Sequence, residues 1–285
     1  MIRNYLLLAF DFKDNFFSKK IFDYGDSTPL KIFKEQNEEV FICGHPFTNN
    51  SINIEKLYKN LKEKKFSKEF IKSIDGEFLI IKVNYKNKDV TIYNSRFASP
   101  PVYFYFVDQF LIISNNFYKI ASYLKKNLKF ELDQNNLWHF FKFRRIFGYG
   151  TLDKNTKYLK PSQIMRVNKD GISAEKYWEP KYHKNTLTLR ENAKILSENI
   201  EQSWRNLLSD KEKPALFLSG GLDTRTYLAH CPKKLKCINL TYVKNRESEA
   251  AEKSCKITNQ NFYWRELQQG IYPKYLEKSS CVNSS

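Results

Sequence analysis

The stretch Pro214-Ala215-Leu216-Phe217-Leu218-Ser219-Gly220-Gly221-Leu222-Asp223-Thr224 constrains this chain more than any other. Ala215–Leu218 is short and apolar, as a strand at the centre of a parallel sheet should be. Ser219-Gly220-Gly221 follows at its carboxyl end, and a helix is expected from about residue 224. Two glycines without Cβ let backbone N–H groups crowd around an anion. The first amides of the following helix face the same anion. A glycine turn with no ligand would need only the glycines. The whole Ser-Gly-Gly-Leu-Asp-Thr string behind an apolar strand is the context that phosphate binding requires. Asp223 is the candidate to hold Mg²⁺ against the phosphates, and Ser219 and Thr224 offer hydroxyls. The string lacks the lysine of G-x-x-x-x-G-K-S/T and is not G-x-G-x-x-G, so neither a Walker loop nor a dinucleotide site is expected.

The surroundings of the loop agree with an α/β unit. Thr188-Leu189-Arg190-Glu191 is a capping-box sequence. Behind it Leu189, Ala193, Leu196, Ile200, Trp204 and Leu207 recur every three or four residues, which predicts a long amphipathic helix. Strand 215–218 is then followed by a helix, strand 235–242, helix 248–258 and strand 262–267. Alternating strand and helix gives a parallel sheet of the doubly wound, Rossmann-like type.

The first half is patterned differently, and the domain boundary is placed near Tyr182. Met1 to Phe10 reads as a buried first strand, its apolar run too short for a signal peptide. Val40–Gly44 is an apolar run closed by glycine. Gly76–Tyr85 and Val90–Tyr93 form one hairpin by pattern, and Val102–Val107 with Phe110–Ser114 a second. Asn53–Lys64 has helical spacing. Asn116 and Asp133 are candidate caps of two further helices. Strands resume at Gln163–Val167, with a turn at 168–171.

Composition narrows the function classes. Net charge is +17 over 285 residues, but the lysines are spread along the whole chain. That distribution suits a solvated basic surface and weighs against a nucleic-acid partner. Five cysteines and four scattered histidines show neither zinc spacing nor a disulfide framework, and reduced thiols suggest the cytoplasm. No run approaches the roughly 20 apolar residues of a membrane span. Cys43 and His45 are close enough in sequence to suggest a nucleophile and base, but a buried thiol at a strand end is the preferred expectation.

The loop string resembles the PP-loop of the ATP pyrophosphatases. Gly76-Glu77-Phe78, Ile92-Tyr93-Asn94-Ser95-Arg96-Phe97-Ala98-Ser99-Pro100-Pro101-Val102-Tyr103, Leu159-Lys160-Pro161-Ser162 and Lys176-Tyr177-Trp178 resemble, in order, the "GxFA…RDRFGxKPLYY", "LPPG" and "YW" stretches of the asparagine synthetases. Leu240-Thr241-Tyr242 and Glu249 match the family's second strand and helix. The resemblance spans roughly residues 40–267. It implies a class II glutamine amidotransferase-like domain over 1–182, an αββα sandwich of the Ntn-hydrolase type, followed over 183–285 by the N-terminal part of a PP-loop ATP-binding domain. It also implies ATP and Mg²⁺ as ligands. Leu218, Ser219, Gly220, Gly221, Asp223, Thr224, Arg225 and Leu240 would form the nucleotide site, with Leu218 and Leu240 flanking adenine and ribose.

The implied reaction is adenylation of a small carboxylic acid, aspartate by default, followed by amidation. Departures from the family qualify it. The family's nucleophile is a processed N-terminal Cys, whereas this chain begins Met1-Ile2 and has no Cys before Cys43. The family's glutamine-binding Asp aligns with Asn84, and its Arg-containing glutamine loop has no counterpart near Gly44-His45-Pro46-Phe47. The first domain is therefore expected to keep the fold without hydrolysing glutamine. Family members also run well past the third strand, so a fragment or truncated, aggregation-prone chain is expected, ending in the polar tail Lys278–Ser285. Arg225 stands where the family has Ser or Thr, as an anion contact or as a solvated arginine. A PP-loop tRNA-modifying enzyme and a non-catalytic ATP-binding remnant stay open as alternatives, as does a homodimer.

Overall fold

The computed structural model describes residues 5–13, 17–26, 28–48, 53–182, 184, 186–208 and 215–270. Met1-Ile2, Pro214, Cys281 and the tail Lys278–Ser285 lie outside the described residues. The described chain divides into two compact units, one through Pro180 and one from Lys181.

The first unit begins with β1 (Leu6–Asp11), β2 (Ser18–Tyr24), β3 (Leu30–Glu35) and β4 (Glu38–Phe47), then α1 (Ile54–Glu63) and α2 (Lys68–Ser73). It continues with β5 (Asp75–Asn84), β6 (Asp89–Asn94), β7 (Tyr103–Val107), β8 (Phe110–Ser114), α3 (Phe117–Asn127), α4 (Gln134–Phe143), β9 (Thr156–Tyr158), β10 (Gln163–Asn168) and β11 (Gly171–Lys176). The strands make two antiparallel sheets, in the orders β2-β1-β8-β7-β9 and β11-β10-β6-β5-β4-β3.

Alternation along the strands explains the layering. Leu6, Leu8 and Phe10 of β1 share one core with Phe41, Leu79, Ile81, Ile92 and Val167 of the other sheet. The residues between them turn outward. Leu7 and Ala9 pack with Ile120 and Leu124 of α3. Val40, Ile42, Phe78 and Ile80 pack with Leu57 and Leu61 of α1 and Ile71 of α2. The central strands of each sheet are buried on both faces, so the order through the unit is helix, sheet, sheet, helix. Burying each large apolar side chain contributes about 1.5–3 kcal/mol, and Phe78, Ile80, Leu79 and Ile81 are wholly enclosed.

Two details differ from the sequence pattern. Gly44 does not close its strand: β4 runs on to Phe47 with Gly44 at φ +102°. A Cβ there would meet the Glu77 carbonyl oxygen at 2.3 Å, so glycine is what lets β4 and β5 stay paired. The helix α4, apolar through Leu137, Trp138, Phe140 and Phe141, buries none of its residues.

The second unit is α5 (Leu189–Leu207), β12 (Ala215–Phe217), α6 (Leu222–Ala229), β13 (Lys236–Thr241), α7 (Arg246–Ile257) and β14 (Asn261–Glu266). The three strands are parallel, in the order β12-β13-β14, with Leu216, Cys237 and Phe262 in register. The strand that feeds the glycine loop is therefore at an edge of the described sheet, and β13 is central. A strand's place in a sheet is set by its partners, which its own apolar run does not encode.

One face of the sheet packs through Leu216, Leu218 and Cys237 against Ile200 and Trp204 of α5, Leu228 of α6 and Ala251 and Cys255 of α7. On the other face Phe217, Leu240 and Tyr263 are exposed. Leu189, Leu196 and Leu207 of the α5 stripe are exposed as well, so only the later part of that helix contributes to the core. Among the described residues no helix is long and apolar enough to cross a membrane.

Candidate functional site

The chain leaves β12 at Leu218, whose N–H donates to the Ile238 carbonyl at 2.8 Å. Its own carbonyl accepts from Asn239 Nδ2 at 2.8 Å. The loop then braces itself. Ser219 Oγ lies 3.0 Å from Thr224 Oγ1 and accepts the Gly221 N–H at 3.2 Å. Thr224 Oγ1 donates to the Ser219 carbonyl at 3.1 Å. The two hydroxyls expected to face the phosphates are thus tied to each other and to the loop backbone.

The bracing sets up the start of α6. Among the described residues, each of the other six helices takes a side-chain oxygen on its first amides: Asn53, Ser67, Asn116, Asp133, Thr188 and Asn245. Gly221 stands at that position in α6 and supplies none. The first amides of a helix have no partner inside the helix. They carry the positive end of its dipole, so they form an anion site where no side chain covers them.

The first turn of α7 lies against the same loop. A Cβ on Gly220 would stand 2.9 Å from the carbonyl oxygen of Glu247 and 3.0 Å from its Cα. The glycine is required by this contact. The amides of α7 are already taken, because Asn245 Oδ1 accepts from Glu247 N and Ser248 N and Ser248 Oγ accepts from Asn245 N. Of the two described helices that begin at the carboxyl edge of the sheet, α7 has a side-chain cap and α6 has none.

The charged and apolar residues divide around this point. Asp223 is exposed in the first turn of α6. Arg225 is exposed, and its Nε donates to the Gly221 carbonyl at 3.2 Å, which folds the guanidinium back toward the loop. Leu218 and Leu240 do not come together. Leu218 is 2 % exposed in the helix-packed core, whereas Leu240 is 44 % exposed on the open face. Among the described residues no group of three or more His, Cys, Asp or Glu could hold a metal ion.

The first unit offers no comparable constellation at the residues singled out by sequence. Cys43 is 1 % exposed between the two sheets, and burial pushes its thiol up to about 12. At neutral pH such a thiol carries almost no thiolate. Asn84 accepts from Asn87 N at 2.8 Å and shapes the turn of the β5–β6 hairpin. Asn94 is wholly buried: its Nδ2 donates to the Lys160 carbonyl, its Oδ1 accepts from Gln163 N, and its carbonyl accepts from Tyr177 OH. The "YW" and "LPPG"-like stretches therefore meet at a structural brace.

Sequence reasoning missed Asn239. It is 3 % exposed in the central strand, one residue before Leu240. The available signal was a single amide inside the apolar run Cys237-Ile238-Asn239-Leu240.

No protein-family model matches the chain, and no curated protein matches it. Solved structures similar to the chain at a low level include the following two. One is glutamine phosphoribosylpyrophosphate amidotransferase from B. subtilis complexed with ADP and GMP, with 9% identity and a TM-score of 0.32. The match covers 96% of this chain and 64% of that one. The other is described as the allosteric regulatory enzyme of purine biosynthesis, with 8% identity and a TM-score of 0.35, covering 92% of this chain and 74% of that one. The chain spans 64% of the length of the first of these.

Proposed function

We propose that the second unit binds ATP through the loop Ser219–Thr224, as an asparagine-synthetase-like, AMP-forming amide ligase would. The observation that carries this is the start of α6: an uncapped helix behind two glycines at the carboxyl edge of a parallel sheet. The β- and γ-phosphates fit that set of donors, because phosphate oxygens accept where no side chain does. Gly221 keeps the approach clear of a Cβ, and Arg225 is close enough to the loop to add a charged donor. The exposed Asp223 carboxylate fits a hard, oxygen-seeking cation such as Mg²⁺. Bound Mg²⁺ would supply neutralisation of phosphate charge. The chain's own residues orient the nucleotide and place its phosphates.

The acceptor is proposed to be a small carboxylic acid, aspartate by default, with ammonia or an amine as nucleophile. The buried, protonated Cys43 supports a first unit without glutaminase chemistry. The test is ATP–pyrophosphate exchange with aspartate and a panel of other acids, run beside ATP binding by calorimetry. Exchange dependent on one acid supports the ligase. ATP binding without exchange supports a nucleotide-binding protein that does not turn over. Failure to bind ATP or pyrophosphate overturns the site.

A further inference from the structure

Asn239 is an amide in the centre of the second unit's sheet, with Leu218 on one side and Trp264 in register on the other. Its orientation is determined by its partner. The Leu218 carbonyl can only accept, so the nitrogen faces it and the oxygen faces away. That oxygen, Oδ1, is buried and finds no donor among the described residues. An apolar residue of the same size would avoid burying an unmatched acceptor, and the neighbouring Cys237 on the same face shows that the packing accepts one. Residues that break a local rule without helping the core concentrate at functional sites.

The amide's position supplies the function. Leu218 is the last residue before Ser219. Its N–H is held by the backbone of β13, but its carbonyl is held by a side chain. We propose that Asn239 is a positioning residue for the anion loop. Its Nδ2 fixes the Leu218 peptide, and through it the place of Ser219 and of the open amides of α6. This rests on the reading of the loop as a phosphate site.

Two near-isosteric variants test it, with ATP and inorganic pyrophosphate as probes. Asn239→Leu keeps the branching of the side chain and removes the donor. Asn239→Asp places a carboxylate against the Leu218 carbonyl. Each is expected to melt cooperatively and, at pH 8, to bind both probes about tenfold more weakly, the scale of one lost hydrogen bond. On acidification Asn239→Asp alone regains affinity, because its protonated carboxyl can donate to Leu218 as the amide does, and burial brings that protonation toward neutral pH. The charged groups on the surrounding elements include Asp223 and Arg225 on α6, Arg246, Glu247 and Glu249 in the first turn of α7, Arg265 and Glu266 on β14, Lys236 on β13, and Glu201 and Arg205 on α5. All are also present in Asn239→Leu, so comparison with it subtracts their titration.

Wild-type affinity in both variants, or no recovery of Asn239→Asp at low pH, overturns the proposal. If a variant fails to melt cooperatively, Asn239→Ala takes its place, and wild-type affinity there has the same meaning. If the wild-type protein binds neither probe, the phosphate site itself has failed. Positioning is then decided at one pH by amide exchange at Ser219–Gly221, faster in Asn239→Leu if Asn239 holds the loop and unchanged if it does not.

Discussion

The backbone of Glu247, in the first turn of α7, occupies the space that a Cβ on Gly220 would need, with its carbonyl oxygen 2.9 Å from that position. Two chain segments meet here through main-chain atoms, so neither can yield by turning a side chain. Gly220→Ala is expected to push α7 away and to destabilise the second unit by about 1–3 kcal/mol, the usual range for overpacking. It should also displace the loop and abolish ATP binding. Thermal melting and calorimetry check both, and an unchanged melting temperature would show that the contact is not made.

Gly221 leads to a different expectation. Its φ is −72°, open to any residue, and a Cβ there meets only Ser219 Oγ, at 3.2 Å. Gly221→Ala should change stability by only a few tenths of a kcal/mol to about 1 kcal/mol, since alanine is the poorer N-cap. The new methyl sits where an anion must approach, so affinity for ATP and pyrophosphate should fall at least about tenfold, roughly 1.4 kcal/mol. Stable protein with intact affinity would remove the loop from consideration as a phosphate cradle.

The cysteines should react in an order set by burial. Cys43 and Cys237 are enclosed, and burial lifts each thiol to about 12; Cys231 is partly exposed. Native protein treated with iodoacetamide at pH 7.5 should carry label at Cys231 well before Cys43 or Cys237, and denaturant should erase the difference. Peptide mapping by mass spectrometry reads this directly. In the same preparation, purified protein should release no glutamate from glutamine. Measured glutaminase activity would overturn the expectation that the first unit has lost glutamine hydrolysis.

Glu39 ties β4 to its surroundings and makes the first unit sensitive to acid. It accepts from Lys19 Nζ and, at 3.0 Å, from Tyr85 OH, with Lys34 Nζ 3.4 Å from its other oxygen. Desolvation alone would raise its pKa, but these hydrogen bonds and the two lysine charges together hold it below the ordinary 4.5. A carboxylate with a depressed folded value stabilises fully above its unfolded pKa, and that contribution fades as pH falls through the folded value. Glu39→Gln should therefore be less stable at pH 7 by about 1–3 kcal/mol. Its denaturation midpoint should fall less steeply than that of wild type between about pH 5 and pH 2. Parallel acid limbs in the two proteins would rule out this role for Glu39.

Local chemistry was readable wherever one residue decides it. Asn116, Asp133 and Thr188 cap the helices that their positions announce. The continuous apolar run of β5 marks a strand buried on both faces. What escaped was set by partners. β2 and β3 carry lysines on half-wet strands near sheet edges, so their alternation is weak. The stripe on α5 was visible, but periodicity names a face without saying what covers it, and Leu189 and Leu196 are exposed. The glycine loop stood out because its residue types are demanded by backbone geometry. Asn239 and Glu247 did not, because each acts across strands or helices far apart in sequence.

The uncapped start of α6 has a consequence for how the second unit responds to its surroundings. A helix completed by its own side chain has a fixed length. One whose first turn is completed by a solute shortens or lengthens with the concentration of that solute. If the loop binds phosphate as proposed, occupancy of the loop and firmness of that turn are linked, and fraying at Leu222–Thr224 would then report how much phosphate-bearing ligand the protein has met.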